Sequence, residues 1–171
     1  VMELVQDAMP LVKAADYHRS PTIERLHLFL SLCKAVAYGH ARSVIHRDLK
    51  PSNILVDSNG HPKLIDFGIA RIEQDDDATE TGTFLGTRQY SSPEQCAGQK
   101  VDSRSDVYSL GVILHELLTG KLPYDLKNSS PLETARVIHE QAPNKIRVPE
   151  KKLRAGVDTI AEKCLSKEPR D

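Results

Sequence analysis

The chain has 171 residues, of which 39% are hydrophobic and 27% are charged, and its net charge is −1. This composition suits one ordinary globular domain, and the balanced charge argues against a protein that binds nucleic acid through bulk electrostatics. No run of 18 apolar residues exists that would predict a membrane span in this piece. Its three cysteines, Cys33, Cys96 and Cys164, form no CxxC pair, which argues against a disulfide framework or a zinc site.

The N-terminal third is predicted to be mostly helical. Residues 1–5, Val-Met-Glu-Leu-Val, alternate briefly and indicate a strand, and residues 9–18 indicate a short helix. Ser20 as N-cap and Pro21 at the first helical position predict a second helix that runs to about Ala41. The apolar residues that recur at three- and four-residue steps, and are expected to form its buried stripe, are Ile23, Leu26, Leu30, Cys33 and Ala37.

Residues 46–53, His-Arg-Asp-Leu-Lys-Pro-Ser-Asn, concentrate reactive side chains in one short stretch. Apolar residues at 44–45 and 54–56 predict a strand on each side, and a loop between strands is a rigid place to hold such groups. The carboxylate of Asp48 can take a proton from a hydroxyl, and the ammonium of Lys50 can neutralise a phosphoryl oxygen. The amide oxygen of Asn53 can bind magnesium.

A hairpin is expected directly after this stretch. Residues 57–60, Asp-Ser-Asn-Gly, predict a tight turn in which Asn59 and Gly60 supply positive φ angles. The turn joins a strand at 54–56 to a strand at 62–65, so Asn53 and Asp66 are expected at the same end of the hairpin. An amide oxygen and a carboxylate placed together there are suitable magnesium ligands.

Residues 70–91 show no periodicity and contain the acidic run Glu-Gln-Asp-Asp-Asp at 73–77, so they are expected to form a solvated loop. Four threonines follow the acidic run: Thr79, Thr81, Thr83 and Thr87.

Three helices are predicted in the remaining chain. The most apolar one covers residues 103–119, is ended by Gly120 and carries Asp106 as a buried carboxylate that needs partners. Residues 130–133, Ser-Pro-Leu-Glu, form a capping motif for a helix that runs to about Glu140, and a last helix is expected over about 153–165. The pair His115-Glu116 begins like the zinc motif HExxH, but Thr119 occupies its last position, which argues against zinc.

Several motifs in order resemble the protein kinase superfamily. Residues 46–53 are similar to the catalytic loop H-R-D-L-x-x-x-N, and the Asp-Phe-Gly at 66–68 follows Asp48 by 18 residues. Residues 86–94 are similar to the end of a serine/threonine-kinase activation segment, with Ser92 where alanine is commoner. Lys50 is also typical of serine/threonine kinases. The wording of the motifs favours the bacterial, Hanks-type group.

The resemblance implies an α+β, mostly α fold, the large C-terminal lobe of a kinase, with small β-hairpins at the catalytic loop. Residues 1–171 are then a partial kinase domain, in which 44–68 hold the catalytic loop and Asp-Phe-Gly, and 66–94 form the activation segment. No G-x-G-x-x-G loop, strand lysine or partner glutamate is found, so the N-terminal lobe is expected to be missing. Asp106 is implied to hold the backbone of the His-Arg-Asp turn, and Glu94 to pair with an arginine that this sequence lacks.

The resemblance implies transfer of the γ-phosphoryl group of ATP to serine or threonine hydroxyls of protein substrates, with Mg²⁺. Asp48 would orient the hydroxyl and accept its proton, Lys50 would steady the phosphoryl group, and Asn53 and Asp66 would hold magnesium. The residues that would line the adenine pocket are Met2, Glu3, Val5 and Leu55.

Regulation is implied as well. Arg47 would receive a phosphate carried by Thr79, Thr81 or Thr83, and Thr87 would then lie near Asp48 and Lys50. The resemblance further implies a cytoplasmic kinase domain in a parent protein that is soluble or membrane-tethered. It also implies dimerisation for autophosphorylation.

Two other functions stay open at this stage. A pseudokinase or scaffold would bind partners without catalysis, although Asp48, Asn53 and Asp66 are all present. A small-molecule kinase could share this lobe, but residues 86–94 suit a peptide hydroxyl. The 171 residues alone are expected to be inactive, because little would position the phosphates without the other lobe.

Overall fold

The central element of the fold is a long buried helix that carries Asp106 near its start. The computed structural model describes residues 8–66, 88–127 and 129–168. Its strands are β1 (Met9–Pro10), β2 (Ile54–Val56) and β3 (Pro62–Leu64), and its helices are α1 (Leu11–Tyr17), α2 (Thr22–His40), α3 (Pro93–Cys96), α4 (Ser103–Thr119), α5 (Pro131–Glu140) and α6 (Lys151–Cys164). The expectation of mostly helical structure with little sheet is therefore confirmed.

Helix α4 begins and ends where its sequence predicts. Asp102 caps its first turn by accepting a hydrogen bond from Arg104 N, and Gly120 ends it with a φ of +69°. Val112, Ile113 and Leu114 are fully buried, and so is Leu117. Because apolar residues cover most faces of α4, other elements pack around it on several sides and it forms the axis of the core.

The buried stripe predicted for α2 is wrong at three of its five residues, while Leu26 and Cys33 are partly buried and pack against the core. Ile23 and Leu30 are 46% and 52% exposed, whereas Leu32 and Val36 are buried. Apolar residues occur around most of this helix, so their spacing alone does not select one face. The packing of α2 against α4 and β3 makes that selection. The predicted cap also differs, since Pro21 occupies the N-cap position with extended backbone and the helix begins at Thr22.

Arg25 fixes the start of α2 in place of a capping side chain. Its guanidinium donates to Leu117 O at 2.8 Å, to Ser20 O at 2.9 Å and to the Asp16 carboxylate at 2.7 Å. These bonds join α1, the α1–α2 connection, α2 and the end of α4. One partly buried cation thus satisfies several carbonyl groups that the helix ends would leave unpaired.

The sheet is antiparallel with the order β1-β2-β3. Residues 9–18 were expected to form one helix, but Met9 pairs with Val56 and Pro10 with Leu55, so α1 begins only at Leu11. The strand expected at 44–45 is also absent, and Val44 is 44% exposed. The neighbour of β2 is therefore supplied by residues that precede α1 and not by those that precede the catalytic loop.

The β2–β3 connection lies where the turn is predicted, but Asn59 does not take the expected positive φ. Asp57 N donates to His61 O at 3.0 Å, which closes a five-residue loop, and the Asp57 carboxylate accepts from the backbone N–H groups of His61 and Asn59. Those two bonds, with that from His61 the stronger, hold the pKa of Asp57 below its usual range. Gly60 alone in this loop has a positive φ, +78°. Hydrogen bonds to the short side chain of Asp57 thus stabilise this turn, in addition to the positive φ of Gly60.

The last helices also keep close to their predicted bounds. Ser130 Oγ accepts from Glu133 N at 3.2 Å, as the predicted capping motif of α5 requires. Helix α6 begins at Lys151, about two residues earlier than expected, and ends at Cys164. Within the described ranges, no helix is both long and apolar enough to cross a membrane.

Helices α4 and α6 meet so closely at Gly111 that a side chain there would clash. A Cβ built on Gly111 would lie 2.7 Å from Cys164 Cβ and 3.1 Å from Leu165 Cγ. We expect Gly111→Ala to destabilise the chain by about 1–3 kcal/mol through overpacking, in spite of the better helix propensity of alanine. Urea unfolding followed by circular dichroism measures this.

Gly156 is the matched control for Gly111, since it lies within α6 and a Cβ there would meet nothing within 4 Å. Gly156→Ala should raise the free energy of unfolding by up to about 1 kcal/mol. Equal stabilisation by both substitutions would show that the α4–α6 contact is looser than described here.

Lys167 gives the core an unusual pH dependence. Its Nζ donates to Tyr124 OH at 2.7 Å and to Ile138 O, and lies 4.3 Å from the centre of the Tyr124 ring. Burial lowers the pKa of Lys167 to about 8, whereas an unfolded lysine titrates near 10.4. Between these pH values Lys167 binds more protons in the unfolded chain than in the folded chain, so this residue contributes stability that rises as the pH is raised from 8 towards 10. Burial raises the pKa values of the thiols of Cys33, Cys96 and Cys164, and their titration in the unfolded chain lowers stability over the same range.

The free energy of unfolding, measured in urea at intervals from pH 7.5 to 9.5, tests this dependence. Lys167→Met keeps the length of the side chain but carries no titrating group, so the stability of the wild type relative to this variant should rise with pH. Burial raises the pKa values of Tyr108 and Tyr124, so both rings stay protonated across this range. The same pH dependence in wild type and variant would contradict the assignment to Lys167.

Candidate active site

Three of the reactive side chains predicted from the sequence form one hydrogen-bonded cluster. Asp48 Oδ2 accepts from Lys50 Nζ at 2.8 Å and from Asn53 Nδ2 at 3.1 Å. Asn53 Nδ2 also donates to Asp48 O at 3.0 Å. The side chains of Asp48 and Lys50 are 18% and 22% exposed, so solvent and a substrate can reach both. The cluster is a carboxylate held in one orientation beside a cation.

The local sequence explains this arrangement. Pro51 starts a 3₁₀ turn over Pro51–Asn53, and Lys50 before it is extended, with a φ of −156°. The turn folds Asn53 back towards Asp48, and Asn53 N donates to Lys50 O at 2.9 Å. Leu49 points the other way into the core and is 1% exposed. The alternation of buried and partly exposed residues thus fixes the direction of the two charged side chains.

Asp106 supports the turn that precedes Asp48. Its buried carboxylate accepts from His46 N at 2.8 Å and from Arg47 N at 2.9 Å. His40 Nε2, at the end of α2, lies 2.7 Å from the same carboxylate. The expectation that Asp106 holds the backbone of this turn is confirmed, and it explains how a carboxylate is tolerated in the core.

Asp66 follows β3 at the same end of the hairpin as Asn53. Ile65 N donates to Asn53 O at 3.0 Å, and His46 Nε2 lies 3.1 Å from Ile65 O. Asp66 itself is exposed and has a φ of +54°, while Arg47 has a φ of +65°. Two non-glycine residues in the left-handed region beside one cluster indicate local backbone strain, which is typical of functional sites.

The segment that follows residue 87 is fastened to the same turn. Gln95 Nε2 donates to Arg47 O at 2.7 Å, and Gln95 also forms a capping box with Ser92 at the start of α3. Sequence reasoning missed Gln95. The Ser-x-x-Gln spacing at 92–95 could have revealed the cap, although not the bond to Arg47.

Glu94 and Tyr90 are held by α4. Glu94 accepts a hydrogen bond from Ser105 Oγ, which takes the place of the arginine partner that the kinase resemblance implies and this sequence lacks. Tyr90 OH donates to the Glu116 carboxylate at 2.7 Å, and burial together with this bond raises the pKa of Tyr90. Residues 88–95 are thereby anchored at both ends and present a fixed surface next to Asp48.

The oxygen atoms of the cluster fit a hard cation. Because Asn53 Nδ2 is bound to Asp48, its Oδ1 faces away and, among the described residues, receives a single contact, from Ser52 Oγ at 3.4 Å. This oxygen and the exposed Asp66 carboxylate are the kind of ligands that Mg²⁺ prefers. Among the described residues, no group of three or more His, Cys, Asp or Glu side chains could hold a metal. Two protein ligands can be enough for Mg²⁺, because it keeps waters and phosphate oxygens as further ligands.

Other predicted site residues are placed apart or lie outside the described ranges. Leu55 is half-buried on the face of β2 opposite to Ile54 and Val56, which point into the core. The predicted site residues that fall outside the described ranges are Met2, Glu3, Val5, Thr79, Thr81, Thr83 and Thr87.

Comparison with known proteins adds an independent line of support. The protein kinase domain family matches the chain over residues 1–171. The serine/threonine-protein kinase PknB of Mycobacterium tuberculosis is 39% identical over 84% of this chain and 23% of its own length. PknB of Mycolicibacterium smegmatis is 40% identical over the same shares, and the "Probable serine/threonine-protein kinase SCO3848" of Streptomyces coelicolor is 38% identical over 99% of this chain and 25% of its own.

The chain spans about a quarter of the length of these curated relatives. Their names agree with the serine/threonine type that Lys50 and residues 86–94 indicate, and they do not favour a pseudokinase or a small-molecule kinase. By the family match and the identity to these relatives, the chain belongs to the protein kinase domain family, in its bacterial Hanks-type serine/threonine group.

Proposed function

We propose that this chain is the hinge and C-terminal lobe of a protein kinase domain that transfers the γ-phosphoryl group of ATP to serine and threonine hydroxyls of protein substrates. Residues 44–68 would hold its catalytic loop and residues 66–94 its activation segment. The observation that carries the proposal is the bonded cluster of Asp48, Lys50 and Asn53, with Asp66 at the same end of the hairpin.

Asp48 is proposed to bind the substrate hydroxyl and accept its proton. The bonds from Lys50 and Asn53 keep the carboxylate in one orientation before the hydroxyl arrives, so little reorganisation is needed at the moment of transfer. As the new O–P bond forms and the bond to the leaving ADP oxygen breaks, the hydroxyl proton moves to Asp48. Lys50, whose Nζ lies 2.8 Å from the Asp48 carboxylate, would share its charge with an oxygen of the transferring group.

Asn53 and Asp66 are proposed as the ligands of Mg²⁺ through Oδ1 and the carboxylate. The bound ion would neutralise phosphate charge and orient the phosphate chain. Asn53 is 6% exposed and its amide is anchored to Asp48, so the positions of the base and of this ligand are coupled. Leu55 is proposed as the floor of the adenine pocket, with Met2, Glu3 and Val5 at its edge.

The proposal is tested by incubating a form of the protein that carries the nucleotide-covering lobe with radiolabelled ATP, Mg²⁺ and a basic protein substrate. Phosphoserine and phosphothreonine are expected products. Nucleotide binding without any transfer would favour a scaffold. Transfer to small alcohols but not to protein would favour a small-molecule kinase.

Phosphorylation of Thr79 or Thr81 is proposed to activate the enzyme, with Thr83 as the alternative site. Arg47, next to Asp48, would receive the phosphate, which carries about −1.5 to −2 charges and can form charge-assisted hydrogen bonds. Thr87 would then be ordered near Asp48 and Lys50. We expect Thr79→Ala/Thr81→Ala and Arg47→Ala to lower the rate severalfold.

Phosphatase treatment should lower the wild-type rate to a similar extent, and incubation with ATP should restore it in the wild type only. The competing explanation is that the acidic residues 75–77 already supply the negative charge. If phosphatase treatment, Thr79→Ala/Thr81→Ala and Arg47→Ala all leave the activity undiminished, the proposed switch is contradicted and the explanation by acidic residues is favoured.

A further inference from the structure

The side chain of Gln95 connects two parts of the candidate site that are far apart in the sequence. Its Nε2 donates to Arg47 O at 2.7 Å, and its Oε1 accepts from Ser92 N at 3.0 Å. A carbonyl can only accept and a backbone N–H can only donate, so these partners fix the orientation of the amide. One half-buried side chain thus joins the segment at 88–95 to the turn before Asp48.

The carbonyl that Gln95 binds belongs to the peptide group between Arg47 and Asp48. Because a peptide group is planar, a bond to its oxygen also restrains the direction in which the chain enters Asp48. Arg47 N donates separately to the Asp106 carboxylate, at 2.9 Å. The N–H and the C=O of Arg47 are therefore both held, the first by α4 and the second by Gln95.

These two bonds hold a backbone conformation that arginine does not prefer. Arg47 has a φ of +65°, in the left-handed region, and a non-glycine residue persists there only where surrounding groups hold it. Without the bond from Gln95, the peptide group before Asp48 would be freer to rotate. Its rotation would turn the Asp48 carboxylate away from the direction set by Lys50 and Asn53.

The segment at 88–95 is itself fixed to α4. Tyr90 O accepts from Ser109 Oγ at 2.8 Å, and Glu94 accepts from Ser105 Oγ. Both serines lie within one helical turn of the aspartate that holds the turn before the base. The turn and the segment are therefore attached to the same part of α4, and the glutamine closes a ring between them. A closed ring fixes their separation, which attachments to α4 alone would leave adjustable.

We propose that Gln95 is a positioning residue for phosphoryl transfer, which holds the base Asp48 in register with the surface of residues 88–95 that would receive the substrate. This inference rests on the proposed function and concerns how its base is held. Gln95 does not touch the reacting atoms and acts through the peptide group that it binds. Its loss should slow transfer, because a displacement of about 1 Å at a reacting group can cost about a hundredfold in rate.

Binding of Mg-ATP should depend little on Gln95. The proposed metal ligand Asn53 is also held by bonds outside this link, since its N donates to Lys50 O at 2.9 Å and its O accepts from Ile65 N at 3.0 Å. A split between turnover and nucleotide affinity therefore distinguishes the positioning of the base from a general loosening of the site.

Two substitutions separate this role from the capping of α3. Gln95→Glu keeps an oxygen that can accept from Ser92 N, as the glutamate of a capping box does, but it has no N–H to donate to Arg47 O. Gln95→Ala removes both bonds. If Gln95 served only as a cap, Gln95→Glu would behave like the wild type and Gln95→Ala alone would differ, whereas the proposal expects both to lose activity.

The rates are measured with Mg-ATP and a protein substrate, in a form of the protein that carries the nucleotide-covering lobe. We expect kcat to fall by about tenfold to a hundredfold in Gln95→Glu and in Gln95→Ala, with nearly the wild-type Kd for Mg-ATP. Gln99→Glu is the matched control, because it adds the same charge at a nearby exposed position, and it should keep the wild-type rate. Circular dichroism verifies that each variant is folded.

A second readout needs no activity and uses the 171-residue chain as it is. Arg47 C=O and Asp48 N–H belong to one peptide group, so the loss of a hydrogen bond to this carbonyl changes the nuclear magnetic resonance shift of the Asp48 amide. That resonance should move in Gln95→Glu and Gln95→Ala and stay in place in Gln99→Glu.

A wild-type kcat in Gln95→Glu, or an Asp48 amide resonance that stays in place in both Gln95 variants, would overturn the inference alone. A fall in Mg-ATP affinity as large as the fall in kcat would also overturn it, and would assign Gln95 to the stability of the site as a whole. If the wild type itself transfers no phosphoryl group to protein, the proposed function fails and the role of Gln95 in transfer fails with it.

Discussion

Asp48→Asn is expected to lower the rate of phosphoryl transfer by about a hundredfold or more, and to leave the affinity for Mg-ATP nearly unchanged. An amide cannot accept the proton of the substrate hydroxyl. It still offers one oxygen to Lys50 and Asn53, whose bonds at 2.8 and 3.1 Å now end on Asp48 Oδ2. The substitution therefore removes the base with little change in the shape of the loop.

Asp66→Asn is the informative comparison. Asp66 is exposed at the end of the hairpin and is proposed to act on the metal, so the loss of its charge should weaken Mg-ATP binding as well as turnover. Raising the Mg²⁺ concentration should recover part of the activity of Asp66→Asn and none of that of Asp48→Asn.

Nucleotide titration and steady-state rates decide between the two roles, in a form of the protein that carries the nucleotide-covering lobe. Equal losses of nucleotide affinity in both variants would show that the roles of Asp48 and Asp66 are misassigned. Lys50→Met should lower the rate without changing Mg²⁺ dependence, since Lys50 contacts the base and is not proposed as a metal ligand.

The elements that the sequence predicts best are those in which local signals agree with packing. Helix α4 has Asp102 before it, Gly120 after it and apolar residues on most faces, and its bounds are as predicted. The cluster of Asp48, Lys50 and Asn53 was predictable because the distances within six residues are set by one turn around Pro51. When the residues of a motif lie close together in sequence, the local backbone conformation determines their relative positions.

The errors occur where a distant partner decides the structure. Nothing in Met9–Pro10 indicates a strand, and these residues become one because β2 offers an edge to pair with. Apolar residues lie around most of α2, so their spacing is compatible with more than one buried face, and the prediction placed exposed residues in the core. The packing of α2 against α4 and β3 buries Leu32 and Val36 instead. Long-range packing overrides local preference in both cases.

The supports of the catalytic loop were only partly predictable. The role of Asp106 followed from a resemblance, and the structure shows its bonds to His46 N and Arg47 N. Nothing in the sequence indicated that His40 of α2 contacts the Asp106 carboxylate or that Gln95 of α3 contacts Arg47 O. These two contacts join residues that are 66 and 48 positions apart in the sequence, so no local pattern can predict them.

Asp106→Ala is expected to lower the free energy of unfolding by about 3–5 kcal/mol. The carboxylate is 1% exposed and accepts two backbone N–H groups in the core, beside His40 Nε2. Its removal leaves buried donors without partners and frees a turn in which Arg47 has a φ of +65°. Urea unfolding followed by circular dichroism suits this chain, which has no tryptophan.

Two further variants locate the cause of that loss. Asp106→Asn keeps one acceptor oxygen and should lose about 1.5–3 kcal/mol, because a hydrogen bond to a charged group is replaced by a weaker one. Asp16→Asn, in which the carboxylate pairs with Arg25 but is 59% exposed, should cost less than about 1 kcal/mol. If Asp106→Ala were no more destabilising than Asp16→Asn, then the left-handed turn before Asp48 must be held by other groups, and Asp106 would not be the residue that fixes the catalytic loop to α4.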